Sequence, residues 1–108
     1  MLFRSWGQGP QHSQSLQSWF SHVPGLKVYM PILPRDAFNM LINATLDDSP
    51  VIILEHRWLY DIVGELNENL KNGLFDDTRV AKVGSDITLV GTSYMAIENR
   101  KEIGRAHV

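Results

Sequence analysis

Between Ser13 and Val23 the apolar residues Leu16, Trp19, Phe20 and Val23 recur at the spacing of one helical face, and Ser13 is a residue type that starts helices well. Pro24-Gly25 ends that helix. Leu26-Lys27-Val28-Tyr29-Met30 then reads as a short strand closed by Pro31, with Val28 and Met30 on one face. A second helix opens at Pro34, a residue suited to the first helical turn, and Asp36 complements the positive end of its dipole. Its apolar stripe runs through Ala37, Leu41 and Ala44. Asp47-Asp48-Ser49-Pro50 stops this helix, and the continuous apolar run Val51-Ile52-Ile53-Leu54 has the character of a parallel strand covered on both faces. The order helix, strand, helix, strand predicts crossover units on a mostly parallel sheet, hence an α/β fold in three layers.

From Asp61 to Thr78 the pattern turns polar, through Asn67, Asn69, Asn72, Gly73, Asp76 and Asp77, as expected of an interdomain linker. Beyond it, Val80–Val83 and Ile87–Val90 flank Gly84-Ser85-Asp86, a hairpin signal, and Ser93–Asn99 begins another helix. The expected organisation is a first unit over 6–60, a linker over 61–78 and the start of a second α/β unit over 79–101.

The 108 residues carry a formal charge of −2 with scattered Lys and Arg, so nothing marks a nucleic-acid or anionic-membrane footprint. The absence of cysteine excludes disulfides and thiolate metal sites. No apolar run approaches the length of a membrane span. These features fit a soluble cytosolic or organelle-matrix protein.

The first candidate for chemistry is His12, in Gln11-His12-Ser13-Gln14 after Gly7-Gln8-Gly9-Pro10. There an imidazole, the side-chain type most used for acid–base work, stands where a glycine-rich loop enters a helix, a position from which it can move protons. The same setting suits a loop histidine bonded to backbone. Gly7 and Gly9 fit a tight turn better than a phosphate cradle, because no Gly-Lys-Ser/Thr and no G-x-G-x-x-G accompanies them. Ala44, Thr45, Asp47 and Ser49 lie at a helix end followed by a turn, where free carbonyls and a carboxylate can gather around a hard cation; an ordinary helix stop reads the same way. Glu55-His56-Arg57 follows the buried strand at its carboxyl end, where open α/β sheets place ligands. Neighbours on a strand face opposite ways, so at most one of Glu55 and His56 should face a cleft, and a structural or subunit-contact role is favoured. Trp19, Phe20, Trp58 and Tyr60 read as core or interface aromatics.

Taken together, the Gln-His-Ser-Gln stretch, Pro24-Gly25-Leu26-Lys27-Val28 and Leu54-Glu55-His56-Arg57 resemble the beta subunit of the E1 component of thiamine-diphosphate-dependent 2-oxoacid dehydrogenases, from about Gly7 to Asn99. The resemblance implies the latter part of a transketolase-like pyrimidine-binding domain over 6–60 and the opening of the carboxy-terminal domain over 79–101. It implies oxidative decarboxylation of a 2-oxoacid with acyl transfer to lipoamide, with His12 assisting that transfer. Magnesium and the diphosphate are expected on a partner alpha subunit of an α2β2 assembly, through a Gly-Asp-Gly motif missing here, and the acyl acceptor on the lipoyl domain of an E2 acyltransferase. In several such subunits the positions matching Ala44, Thr45, Asp47 and Ser49 hold a structural potassium ion, largely through carbonyls. The glutamate that activates the aminopyrimidine lies upstream in the family, as do the main pyrimidine contacts. Another enzyme of the same fold, a transketolase or deoxyxylulose-phosphate synthase, and a non-catalytic assembly module are the rival readings.

The ends of the chain read differently. Ile103-Gly104-Arg105-Ala106-His107-Val108 is the translation of ATC GGA AGA GCA CAC GTC, the start of a widely used sequencing adapter, and Leu2-Phe3-Arg4-Ser5 matches the end of its partner adapter, CTC TTC CGA TCT. Residues 1–5 and 102–108 are therefore expected to stem from library sequence and are set aside before fold reasoning, leaving a gene fragment between them.

Overall fold

A computed structural model describes residues 2–4, 9–66 and 79–105. In chain order the elements are β1 (Leu2–Arg4), α1 (Gln17–Ser21), β2 (Lys27–Tyr29), α2 (Pro34–Leu46), β3 (Val51–His56), a single 3-10 turn (Arg57–Leu59) and α3 (Tyr94–Arg105). The three strands form one parallel sheet in the order β1-β3-β2. The expected α/β class is therefore observed, with the apolar run Val51–Leu54 in the central strand. Its registers are Leu2 opposite Leu54 on one side and Lys27 opposite Val51 on the other.

β3 is the central strand and carries the buried end of the sheet. Leu54, 2 % exposed, is buried, as is Pro31 after β2, and His56 shares the side of the strand that Leu54 takes. Lys27 N–H donates to Pro50 O at 3.0 Å, which sets β2 and β3 off in register. At the other end of α2 the Lys27 ammonium pairs with Asp47, whose second carboxylate oxygen accepts Ser49 N–H at 2.8 Å. The start of α2 is fixed by Asp36, which accepts Leu33 N–H at 2.9 Å and faces both terminal nitrogens of Arg79 at 3.4 Å. The chain after the expected linker thus packs onto the first unit. Most of that linker, residues 67–78, lies outside the described residues.

Several expectations are corrected. The first helix does not begin at Ser13: its N–H is taken by Gly9 O at 3.2 Å, and the helix starts four residues later. On its face Leu16 and Phe20 are half-buried, but Trp19 (67 % exposed) and Val23 face solvent. The α2 stripe also divides, with Ala37 and Ala44 half-buried and Leu41 exposed. The hairpin over Val80–Val83 and Ile87–Val90 is not formed. Both segments run as irregular chain, with Val83 at 84 % and Val90 at 86 % exposure, since no described strand lies beside them to take up their backbone groups.

Of the terminal segments, Leu2–Arg4 and Glu102–Arg105 are among the described residues. Leu2–Arg4 pairs with β3, and α3 continues through Glu102 to Arg105. Pairing of this kind uses backbone N–H and C=O groups that every sequence carries, so it says nothing about where those residues come from.

Candidate functional site

All three strands run the same way, so the loops that follow them leave one edge of the sheet, the carboxyl edge where α/β folds place ligands. The loop after β1 carries His12. Pro10, Gln11 and His12 form a turn closed by the Gly9–Ser13 hydrogen bond, and Gly9 takes the left-handed φ of +83°. His12 is exposed on that turn. Ser15 Oγ donates to Gln17 Oε1 at 3.1 Å just beyond it.

The loops after β2 and β3 enclose a cleft of about 220 Å³. Pro31, Ile32, Leu33 and Pro34 form one wall, and Glu55, His56, Leu59 and Tyr60 the other. Both Glu55 and His56 border it, contrary to the strict alternation expected, because β3 ends at His56 and the chain turns there into a 3-10 turn. They do not form an acid–base pair. Glu55 Oε2 accepts the Tyr60 hydroxyl at 2.8 Å, while His56 Nδ1 accepts Trp58 N–H at 3.3 Å and so caps that turn. Burial of the Tyr60 ring and the Glu55 bond push its hydroxyl up to about 12; with 53 % of the residue exposed, solvent screens much of this, and the bond to Glu55 is the firmer cause.

His56 is 4 % exposed and stacks on Tyr94 with ring centroids 4.9 Å apart, while Trp58 meets Tyr94 edge-on at 5.0 Å. This cluster ties α3 to the end of β3, a contact role that sequence reasoning favoured for His56 without naming its partner. Trp19, Trp58 and Tyr60 are all exposed and are not core residues. Phe20 is half-buried and lies 5.3 Å from the Trp19 ring.

Asp47 is held below the usual carboxylate range, first by the Lys27 ammonium and then by Ser49 N–H. Thr45 Oγ1 donates to Ile42 O at 2.7 Å. The Asp47 and Thr45 side chains thus bond within the chain, and the carbonyls of the last turn of α2 are further ligands open to a cation. Among the described residues no group of three or more His, Asp or Glu gathers to hold a metal.

Ser93 is a residue that the sequence did not single out. It precedes α3 with φ +52°, is 3 % exposed, and its hydroxyl is buried without a hydrogen-bond partner among the described residues. Only the packing reveals it.

Residues 6–62, more than half of the chain, match the family described as transketolase, pyrimidine binding domain. Relatives include the acetoin:2,6-dichlorophenolindophenol oxidoreductase subunit beta of Cupriavidus necator, 41 % identical over 74 % of this chain and 24 % of that protein. The mitochondrial 2-oxoisovalerate dehydrogenase subunit beta 2 of Arabidopsis thaliana is 42 % identical over 77 % of this chain and 24 % of its own length. The pyruvate dehydrogenase E1 component subunit beta of Rickettsia bellii is 39 % identical over 74 % of this chain and 25 % of its own. The chain thus spans about a quarter of the length of these relatives. No solved structure matches. With a parallel α/β sheet, a histidine turn after β1 and this match across β2, α2 and β3, the chain belongs to the transketolase pyrimidine-binding domain family, in the branch whose relatives are E1 beta subunits.

Proposed function

We propose that this chain is part of a beta subunit of a 2-oxoacid dehydrogenase E1 component, acting with an alpha subunit and passing its acyl product to a lipoyl domain. The observation that carries the reading is the exposed imidazole of His12 on the turn after β1, within the matched residues. Thiamine diphosphate, when bound, supplies the carbanion chemistry of decarboxylation. The exposed His12 turn and the adjoining carboxyl edge of the sheet fit one side of such a group, while magnesium is assigned to the alpha subunit. In this reading His12 donates or relays a proton from its ring as the acyl unit passes to the lipoyl group. Glu55 and His56 serve structure instead, since Glu55 Oε2 holds the Tyr60 hydroxyl and His56 Nδ1 caps the turn after β3.

The potassium ion belongs to the same proposal, held by carbonyls around Ala44 and Thr45 beside Asp47 and Ser49. A cytosolic or mitochondrial-matrix location is likewise proposed, in line with the mitochondrial name of the plant relative. Among the described residues no helix is long and apolar enough to cross a membrane.

The relative named for acetoin is about as similar as the one named for 2-oxoisovalerate, which favours acetoin as a second candidate substrate. The test uses the full-length subunit assembled with its alpha partner. Oxidation of pyruvate, branched 2-oxoacids and acetoin is followed with an artificial electron acceptor and, separately, with a lipoyl domain. His12→Ala should lower lipoyl-linked turnover by roughly two to four powers of ten and spare the artificial-acceptor rate. Equal loss in both assays with an intact fold would remove the acyl-transfer role, and a wild-type assembly inert toward all these substrates would overturn the reading.

A further inference from the structure

The turn that carries His12 depends on one backbone conformation. Gly9 O accepts Ser13 N–H at 3.2 Å, closing a loop in which His12 is the last enclosed residue. The closure requires Gly9 at φ +83°, a left-handed conformation that L side chains adopt at a cost. A Cβ built on Gly9 meets nothing within 4 Å. Substitution there brings no clash, so its whole effect falls on the backbone torsion and hence on the turn. Nor does the residue contribute to a core: the turn is exposed from Gly9 to Ser15.

We propose that Gly9 is a positioning residue for His12, holding the Gly9–Ser13 turn in the form that presents the imidazole. The inference rests on the reading of His12 as the proton-transfer group, but it is tested separately from it. Alanine at position 9 disfavours the left-handed form, lowering the equilibrium constant for closing the turn by about five- to thirtyfold. Asparagine tolerates that region far better. Because the strain is local and exposed, the fold as a whole is left in place.

The experiment uses the full-length subunit assembled with its alpha partner, carrying Gly9→Ala, Gly9→Asn or His12→Ala, with ring-labelled histidine for spectroscopy. In Gly9→Ala, lipoyl-linked kcat should fall by as much as about thirtyfold and by more than the artificial-acceptor rate, with Tm unchanged. Gly9→Asn should recover most of the lost turnover. The His12 ring signal, identified by its absence from His12→Ala, should move in Gly9→Ala and return in Gly9→Asn. If the ring signal stays in place in Gly9→Ala, or asparagine rescues no better than alanine would itself retain, the positioning role is overturned. Where His12→Ala has no kinetic effect but the ring signal moves with Gly9→Ala and returns with asparagine, positioning stands and the role assigned to His12 falls.

Discussion

Replacing Ser93 by glycine should stabilise this protein. Ser93 sits at φ +52° with 97 % of its surface buried and its Oγ unpartnered, so it combines two unfavourable terms in one residue. The left-handed conformation costs a non-glycine residue about 1–2 kcal/mol. A buried hydroxyl without a partner costs a further ~1–3 kcal/mol. Glycine removes both, and gives back about 0.4–1 kcal/mol through the greater freedom of the unfolded chain. The net gain is about 2 kcal/mol. It acts where Ala96 N–H bonds Ser93 O at 3.1 Å and Met95 N–H bonds Thr92 O at 3.2 Å, the opening turn of α3. Native-state hydrogen exchange of the Met95 and Ala96 amides in the full-length assembly reads this local free energy directly, and about 2 kcal/mol slows exchange by roughly thirtyfold. Ser93→Ala, which removes the hydroxyl and keeps the torsion, should achieve only part of the gain. Unchanged or faster exchange in Ser93→Gly would refute the reasoning. Equal effects of alanine and glycine would show that the torsion costs no more than the roughly 0.4–1 kcal/mol that glycine gives back.

The Tyr60 hydroxyl holds its proton more tightly in the fold than in the unfolded chain, through burial and the Glu55 bond, so its stabilising contribution is complete below pH 10 and fades between about 10 and 12. Stability measured against alkaline pH should decline more steeply there in wild type than in Tyr60→Phe; identical profiles would remove the coupling. Produced alone, the 108-residue chain should self-associate or stay partly unfolded, because Leu54 is buried while Leu46, Val63 and Val90 are each more than three-quarters exposed. Size-exclusion chromatography and a thermal scan check this, and a monomer with one cooperative melt would contradict it. Replacing potassium by sodium should lower the Tm of the full-length assembly by a few degrees if the α2 carbonyls hold the ion, whereas an unchanged melt would dismiss it.

The loop–helix–strand order over residues 13–56 was legible in the sequence because its signals are local. Pro34 and Asp36 start α2, Pro50 separates it from β3, and an unbroken Val-Ile-Ile-Leu run has no exposed face to alternate with, so it was read as a covered parallel strand. His12 was legible as a candidate for the same reason: a glycine at Gly9 announces the turn three residues ahead of it. Other features turn on which segment meets which, and that is a long-range matter. Whether Leu41 or Ala37 is covered depends on what packs against α2, not on the helical period, which is the same for both. The Val80–Val90 segment has the composition of a hairpin, yet two strands alone bury too little to hold together, and no described strand adjoins them. His56 reads as half of a Glu-His pair until Tyr94, thirty-eight residues on, stacks on its ring, and Glu55 turns to Tyr60 instead. Sequence alone determined the order of the elements over residues 13–56 and that His12 stands on the turn ahead of them. The tertiary structure decided that β3 lies between β1 and β2, that His56 is buried against α3, and that Ser93 bears the strain, because each of these depends on contacts between residues distant in the chain.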